Sequence, residues 1–210
     1  MTSRWRWARG CAALIAALAG CGTGAGSSAP PANTPSVVVP PLWVLAPHPD
    51  DESLMAAEII ASAVRARRPI FVHVMTNGDL GCGRDGWRRQ DEAVAAMEVL
   101  GLPERQLRFL GYPDGWLDAL GSEPLSPLPR TRRDGTCGEG AVTYGARGEG
   151  GADVHTRRAG SPGTYTAQGA IDDLVHLLER DRPSDVYVSH PIDDHPDHAT
   201  TYVLLRRALE

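Results

Sequence analysis

The chain has 210 residues, a formal net charge of −5 and 42% hydrophobic side chains, and all 21 of its basic residues are arginine. An acidic balance excludes nucleic acid as the expected partner. Residues 42–210 are long enough for one domain with a sizeable core.

The first 21 residues read as an address rather than as fold. Arg4, Arg6 and Arg9 precede an apolar run, residues 11–19, that is too short to span a bilayer. The run ends in Leu18-Ala19-Gly20-Cys21. Two small residues before a cysteine resemble the bacterial lipobox, which implies cleavage before Cys21 and acylation of its sulfur. The expected location is therefore outside the cell, lipid-anchored on the outer face of the cytoplasmic membrane. Residues 22–41 are uncharged and rich in Gly, Ser and Pro, and form a flexible tether. Cys11 leaves with the leader. Cys82 and Cys137 remain and are expected to pair in an exported protein.

From residue 42 onward, strands alternate with helices. Residues 42–46 are a short apolar strand and 53–67 a helix whose apolar face holds Leu54, Ala57, Ile60, Ala61 and Val64. Residues 69–75 are a β-branched strand, within which His73 reads as a satisfied core histidine. A turn at 76–79 precedes a helix over 88–100, ended by Gly101. Residues 107–110 are a strand, 166–180 a helix, 185–189 a strand and 198–209 a helix. This order predicts an α/β fold: a mainly parallel sheet with helices on both faces. Residues 121–163 are dense in Gly, Pro and Arg and read as one long loop. A bridge between Cys82 and Cys137 would pin that loop over the strand ends.

Two strand ends carry the chemistry. His48-Pro49-Asp50-Asp51-Glu52 follows the first strand and His195-Pro196-Asp197-His198 the last. Ligands of open α/β sheets bind beyond the carboxyl ends of strands. Catalytic zinc takes three ligands from His and Asp/Glu and leaves one position open. His48 and Asp51 are three residues apart, a spacing that His195 and His198 repeat. Within 190–198, Asp193-Asp194 by itself reads as a solvated turn.

These residues resemble the zinc-dependent deacetylases of LmbE/PIG-L type, which act on N-acetylglucosaminyl phosphatidylinositol and on mycothiol and bacillithiol precursors. His48 to Glu52 matches the first signature and His195 to His198 the last. Between them, in family order, stand Thr76-Asn77-Gly78, Arg89-Gln90-Asp91-Glu92 and Gly111-Tyr112-Pro113-Asp114-Gly115. The resemblance implies a Rossmann-like fold and a Zn²⁺ cofactor held by His48, Asp51 and His198. It implies Asp50 as general base and His195 as the acid facing the amide oxygen and leaving nitrogen. Asp197, or Asp194, is expected to hold the second nitrogen of His195. Arg89 and Asp114 are candidate substrate contacts. Family members usually continue past the last helix, so the chain is expected either to be truncated or to lack the terminal strands that complete the sheet.

The expected activity is removal of an acetyl group from an N-acylated amino sugar or glycan. A zinc amidase on a non-sugar N-acyl compound is the alternative within the enzyme class. Outside that class stands a non-catalytic lipoprotein that binds glycan or metal. A binder has no need of a base or an acid beside the metal, and both Asp50 and His195 are present.

Overall fold

The computed structural model describes residues 3–6, 39–79, 83–115, 117 and 142–210. Cys21, Cys82 and Cys137, and with them the expected acylation and disulfide, lie outside the described residues. Among the described residues, no helix is long and apolar enough to cross a membrane.

Five strands form one sheet: β1 (Ser3–Arg6), β2 (Leu42–Ala46), β3 (Ile70–Thr76), β4 (Leu107–Tyr112) and β5 (Asp185–Val188). Their order is β1-β5-β2-β3-β4. The four strands from β2 to β5 run parallel, while β1 joins the edge antiparallel to β5. Ser3–Arg6 belongs to the segment that reads as a leader, and the four parallel strands pair with one another independently of it. The expected α/β class therefore holds.

Helices cover both faces because the strands alternate with period two. Leu42, Val44 and Ala46 of β2 and Ile70, Val72 and Val74 of β3 face one core. There they meet Ala56, Ile60 and Ala63 of α1 (Asp51–Arg65) and Ala93, Val94 and Met97 of α2 (Gly83–Val99). Trp43 and Leu45 face the other core. They pack with Leu174 and Leu177 of α4 (Ala167–Asp181) and Leu204 and Leu205 of α5 (Pro196–Ala208). Each such fully buried aliphatic side chain contributes about 1.5–3 kcal/mol of transfer free energy.

Four expectations need correction. The buried stripe of α1 is Ala56, Ile60 and Ala63, and Leu54 is 81% exposed. The inward stripe runs through Glu52, Ala56, Ile60 and Ala63, and Leu54, two residues before Ala56, falls on the opposite side of the helix. Helix α2 begins five residues before the apolar periodicity does, because its first turns are polar. Residues 142–163 are not structureless. Val142 bridges Thr164, and α3 (Val154–Ala159) is capped by Asp153, which accepts from the Thr156 N–H, and is ended by Gly160 at φ 79°. His73 is also misread: it is fully buried against Trp43, but neither ring nitrogen has a hydrogen-bond partner. Burial holds it well below the usual imidazole pKa, so it stays neutral.

Candidate metal centre

The strand order reverses between β2 and β5, and the two His/Asp clusters leave the carboxyl ends of these neighbours. That is the crevice position for ligands in open parallel sheets. A separation of nearly 150 residues along the chain is thus closed by one parallel strand pair.

The first cluster is held by backbone strain and by a clamp. Asp50 sits at φ 134°, ψ −32°, a region that L residues rarely adopt. Such a conformation costs on the order of 1–3 kcal/mol and persists only when its surroundings fix it. Here the Asp50 N–H donates to Glu52 Oε2 at 2.9 Å, and the Asp50 carboxylate turns away from the helix end it would otherwise cap. Arg89 takes it instead, at 2.8 Å from Asp50 Oδ2, and also donates to Pro49 O (2.8 Å) and Gly78 O (3.0 Å). Gly78 is needed there: its φ is +60°, and a Cβ would lie 2.8 Å from the Arg89 guanidinium. Thr76 anchors the same junction by donating both N–H and hydroxyl to Pro47 O. Arg89 is therefore a clamp on the Asp50 loop, and its substrate role is not what its contacts describe.

Two of the three expected ligands, His48 and His198, each meet the third, Asp51. Asp51 Oδ2 lies 3.1 Å from His48 Nδ1 and 3.1 Å from His198 Nε2. The imidazoles of His48, His195 and His198 cluster with centroids 4.7–5.2 Å apart. On its far side, His48 Nε2 meets Asp114 Oδ1 at 3.1 Å and Asp197 Oδ2 at 3.3 Å. Asp197 also accepts the Gly115 and Leu117 N–H groups at 3.1 Å each. Asp197 thus holds His48, not His195 as expected from sequence, because the 111–117 loop draws its carboxylate inward. Asp114 is only 4% exposed and is turned to His48, so it backs the centre rather than standing open to a sugar hydroxyl.

His195 plays a different part. It is exposed, and its Nδ1 accepts the Asp197 N–H at 3.2 Å, capping α5. Neutral His195 therefore carries its proton on Nε2. Asp193, which sequence alone presents as a turn residue, lies 3.2 Å from His198 Nδ1. The signal was present in its position, two and five residues before His195 and His198, but the direction of its side chain is set only by the loop.

The donors suit a divalent cation. Two imidazoles and one carboxylate are a catalytic zinc set, and each imidazole rests its outer nitrogen on a further carboxylate. Charge balance agrees. Burial lowers the His48 pKa, but hydrogen bonds to Asp114, Asp197 and Asp51 outweigh it and push it up to about 11. Carboxylates so arranged retain a positive charge at their focus. Burial would also raise Asp51, yet His48 and His198 hold it below the usual value. Asp50 is shifted the other way: partial burial raises it, Arg89 opposes, and the Asp51 charge adds to the rise. Among the described residues, two triads bring one donor atom each within common reach, His48–His195–His198 and His48–Asp114–Asp197; the expected set is not one of them, and in it Asp51 Oδ2 touches both imidazoles. In the first triad His195 Nδ1 is taken by the helix end, and in the second Asp197 is taken by two loop N–H groups; the Asp51 set is the one the family resemblance implies.

A family profile described as "PIG-L: GlcNAc-PI de-N-acetylase" matches residues 43–209, and the chain belongs to this family. No curated protein matches it. Among solved structures it is similar to the conserved protein TT1542 from Thermus thermophilus, at 23% identity and TM-score 0.51, over 80% of this chain and 54% of that one. The N,N'-diacetylchitobiose deacetylase from Pyrococcus horikoshii, bound to an inhibitor, matches at 17% identity and TM-score 0.49, over 80% and 49%. The 4-carboxy-2-hydroxymuconate hydratase from Pseudomonas putida KT2440 matches at 19% and 0.45, over 80% and 55%. The chain spans about half the length of each of these structures.

Proposed function

We propose that this protein is a zinc-dependent hydrolase that removes an acetyl group from an N-acylated amino sugar or glycoconjugate. One observation carries the reading: a carboxylate with a raised pKa, Asp50, and an imidazole with its proton on Nε2, His195, both border the donor set without being needed in it. Zinc held by His48, Asp51 and His198 would polarise the amide carbonyl and lower the pKa of water to about 7. Asp50 accepts the proton of the attacking water, and Arg89 keeps its carboxylate aimed. His195 donates from Nε2 to the developing oxyanion. The proton taken by Asp50 then passes to the leaving nitrogen, so amide and water become acetate and amine. Membership of the PIG-L family supports amide hydrolysis on an amino sugar. The leader and lipobox of residues 1–21 support an exported, lipid-anchored enzyme acting on surface glycans.

The test is metal analysis of the purified chain, followed by an amine-release screen over N-acetylated sugars. Zinc at one equivalent per chain and amine release from at least one sugar are expected. A chain that holds zinc but releases amine only from non-sugar N-acyl compounds would transfer the mechanism to another substrate class.

A further inference from the structure

We propose that Asp193 is the positioning residue for His198, setting its tautomer and the aim of Nε2; this rests on the reading of His198 as a metal ligand. A histidine can present a bare Nε2 to a cation only when its ring proton sits on Nδ1. In this chain His198 Nδ1 is 3.2 Å from Asp193 Oδ2, while Nε2 faces Asp51 Oδ2 at 3.1 Å. The ring is therefore held between one carboxylate that accepts from its Nδ1–H and another that faces the Nε2 that would meet the cation.

Asp193 does a second thing with its other oxygen. Oδ1 accepts the His195 N–H at 2.9 Å. One side chain thus ties the ring of His198 to the backbone of His195, whose own ring caps α5. The loop that presents it is braced in turn: Asp193 N–H donates to His190 O at 3.2 Å, and Ile192 N–H to His190 Nδ1 at 3.1 Å. His48 is backed by Asp114 and Asp197 on its outer nitrogen, and Asp193 gives His198 the matching support. The side chain of Asp193 is 35% exposed against 19% for His198, so it stands at the rim of the centre. Asp194, next to it, is exposed and serves as the control.

The experiment measures Zn²⁺ affinity of the full chain by chelator competition, and the His198 tautomer by long-range ¹H–¹⁵N NMR. Asp193→Ala should weaken zinc by about 10–100-fold, the usual effect of removing a carboxylate behind a ligating histidine. It should also shift the His198 ring signals away from the Nδ1–H form. Asp194→Ala should change neither. If Asp193→Ala binds zinc as the parent does while His198→Ala loses it, Asp193 has no positioning role and the metal reading survives. If His198→Ala also binds as the parent does, the ligand assignment itself fails and the proposal fails with it. Should Asp193→Ala not fold, Asp193→Leu, which has no acceptor for the Nδ1–H, is read by the same two measurements, and parental affinity there overturns the proposal.

Discussion

Asp50 combines strain and function in one residue. Its φ of 134° is tolerable for glycine and costly for any residue with a Cβ. Asp50→Gly should therefore be more stable than Asp50→Ala by about 1–2 kcal/mol, since both lose the Arg89 pair and only one relieves the backbone. Denaturant midpoints compare the two directly. Both variants should retain zinc and lose turnover by roughly 10²–10⁴, the range for a positioned base. His195→Ala should behave likewise, and the double variant should lose less than the product, because both groups serve one transition state. A variant that loses its zinc would mark that residue as a ligand. His48 gives a pH expectation. Without metal it keeps its extra proton up to about pH 11, so a cation taking Nδ1 must expel that proton across the neutral range. Zinc affinity should rise with pH, and calorimetry in buffers of different ionisation heat should count about one proton released from this group. Much of this centre was legible in sequence, because His48, Asp50 and Asp51 share one turn at a strand end, so their proximity is written in their spacing even though distant residues hold them. The jobs of Arg89, Asp114, Asp193 and Asp197 were not. Each depends on how loops far apart in the chain meet, and spacing alone carries no such direction.

At the scale of elements, the strands were readable because continuous apolar runs of four to seven residues in a parallel sheet have few alternatives. Helix α3 was hidden by its size: six residues give less than two turns of periodicity, and capping by Asp153 does most to define it. The segment that carries α3 packs on the sheet end through Gly111. A Cβ at Gly111 would meet Tyr144 O at 2.5 Å and Asp153 Cβ at 2.6 Å, and its φ is +83°. Gly111→Ala should destabilise the chain by about 2–4 kcal/mol, combining left-handed strain with overpacking. The centre should suffer too, since Asn77 Nδ2 bridges Gly111 O and Tyr144 O directly below the Asp114 loop. Thermal unfolding reads the first effect and zinc affinity the second.

Across the whole molecule, one half-buried charge cluster ties this same segment to the sheet. Glu149 accepts from Arg108 of β4 at 2.5 Å, Arg157 of α3 at 3.0 Å and Arg180 of α4 at 2.7 Å. Burial raises its pKa, but these three arginines, Arg180 first, outweigh it and hold the carboxyl at about 2. A depressed carboxyl stabilises the fold above its unfolded pKa, about 4.3, and loses that contribution as pH falls toward 2. The gap in unfolding midpoint between the parent and Glu149→Gln should be widest near pH 5 and shrink by pH 3; a constant gap would show that the cluster does not titrate as described. The pairing of β2 with β5 has a consequence in time as well as in space. Strands that begin at Leu42 and Asp185 meet only after both have been made and the long segment between them has closed, a slow and entropically costly step. Until then His48 and Asp51 have no His198, so a nascent or nicked chain captures metal poorly. On the proposed reading, zinc occupancy would report that β5 has docked on β2, and metal added during refolding should follow the phase that pairs these strands without accelerating earlier ones.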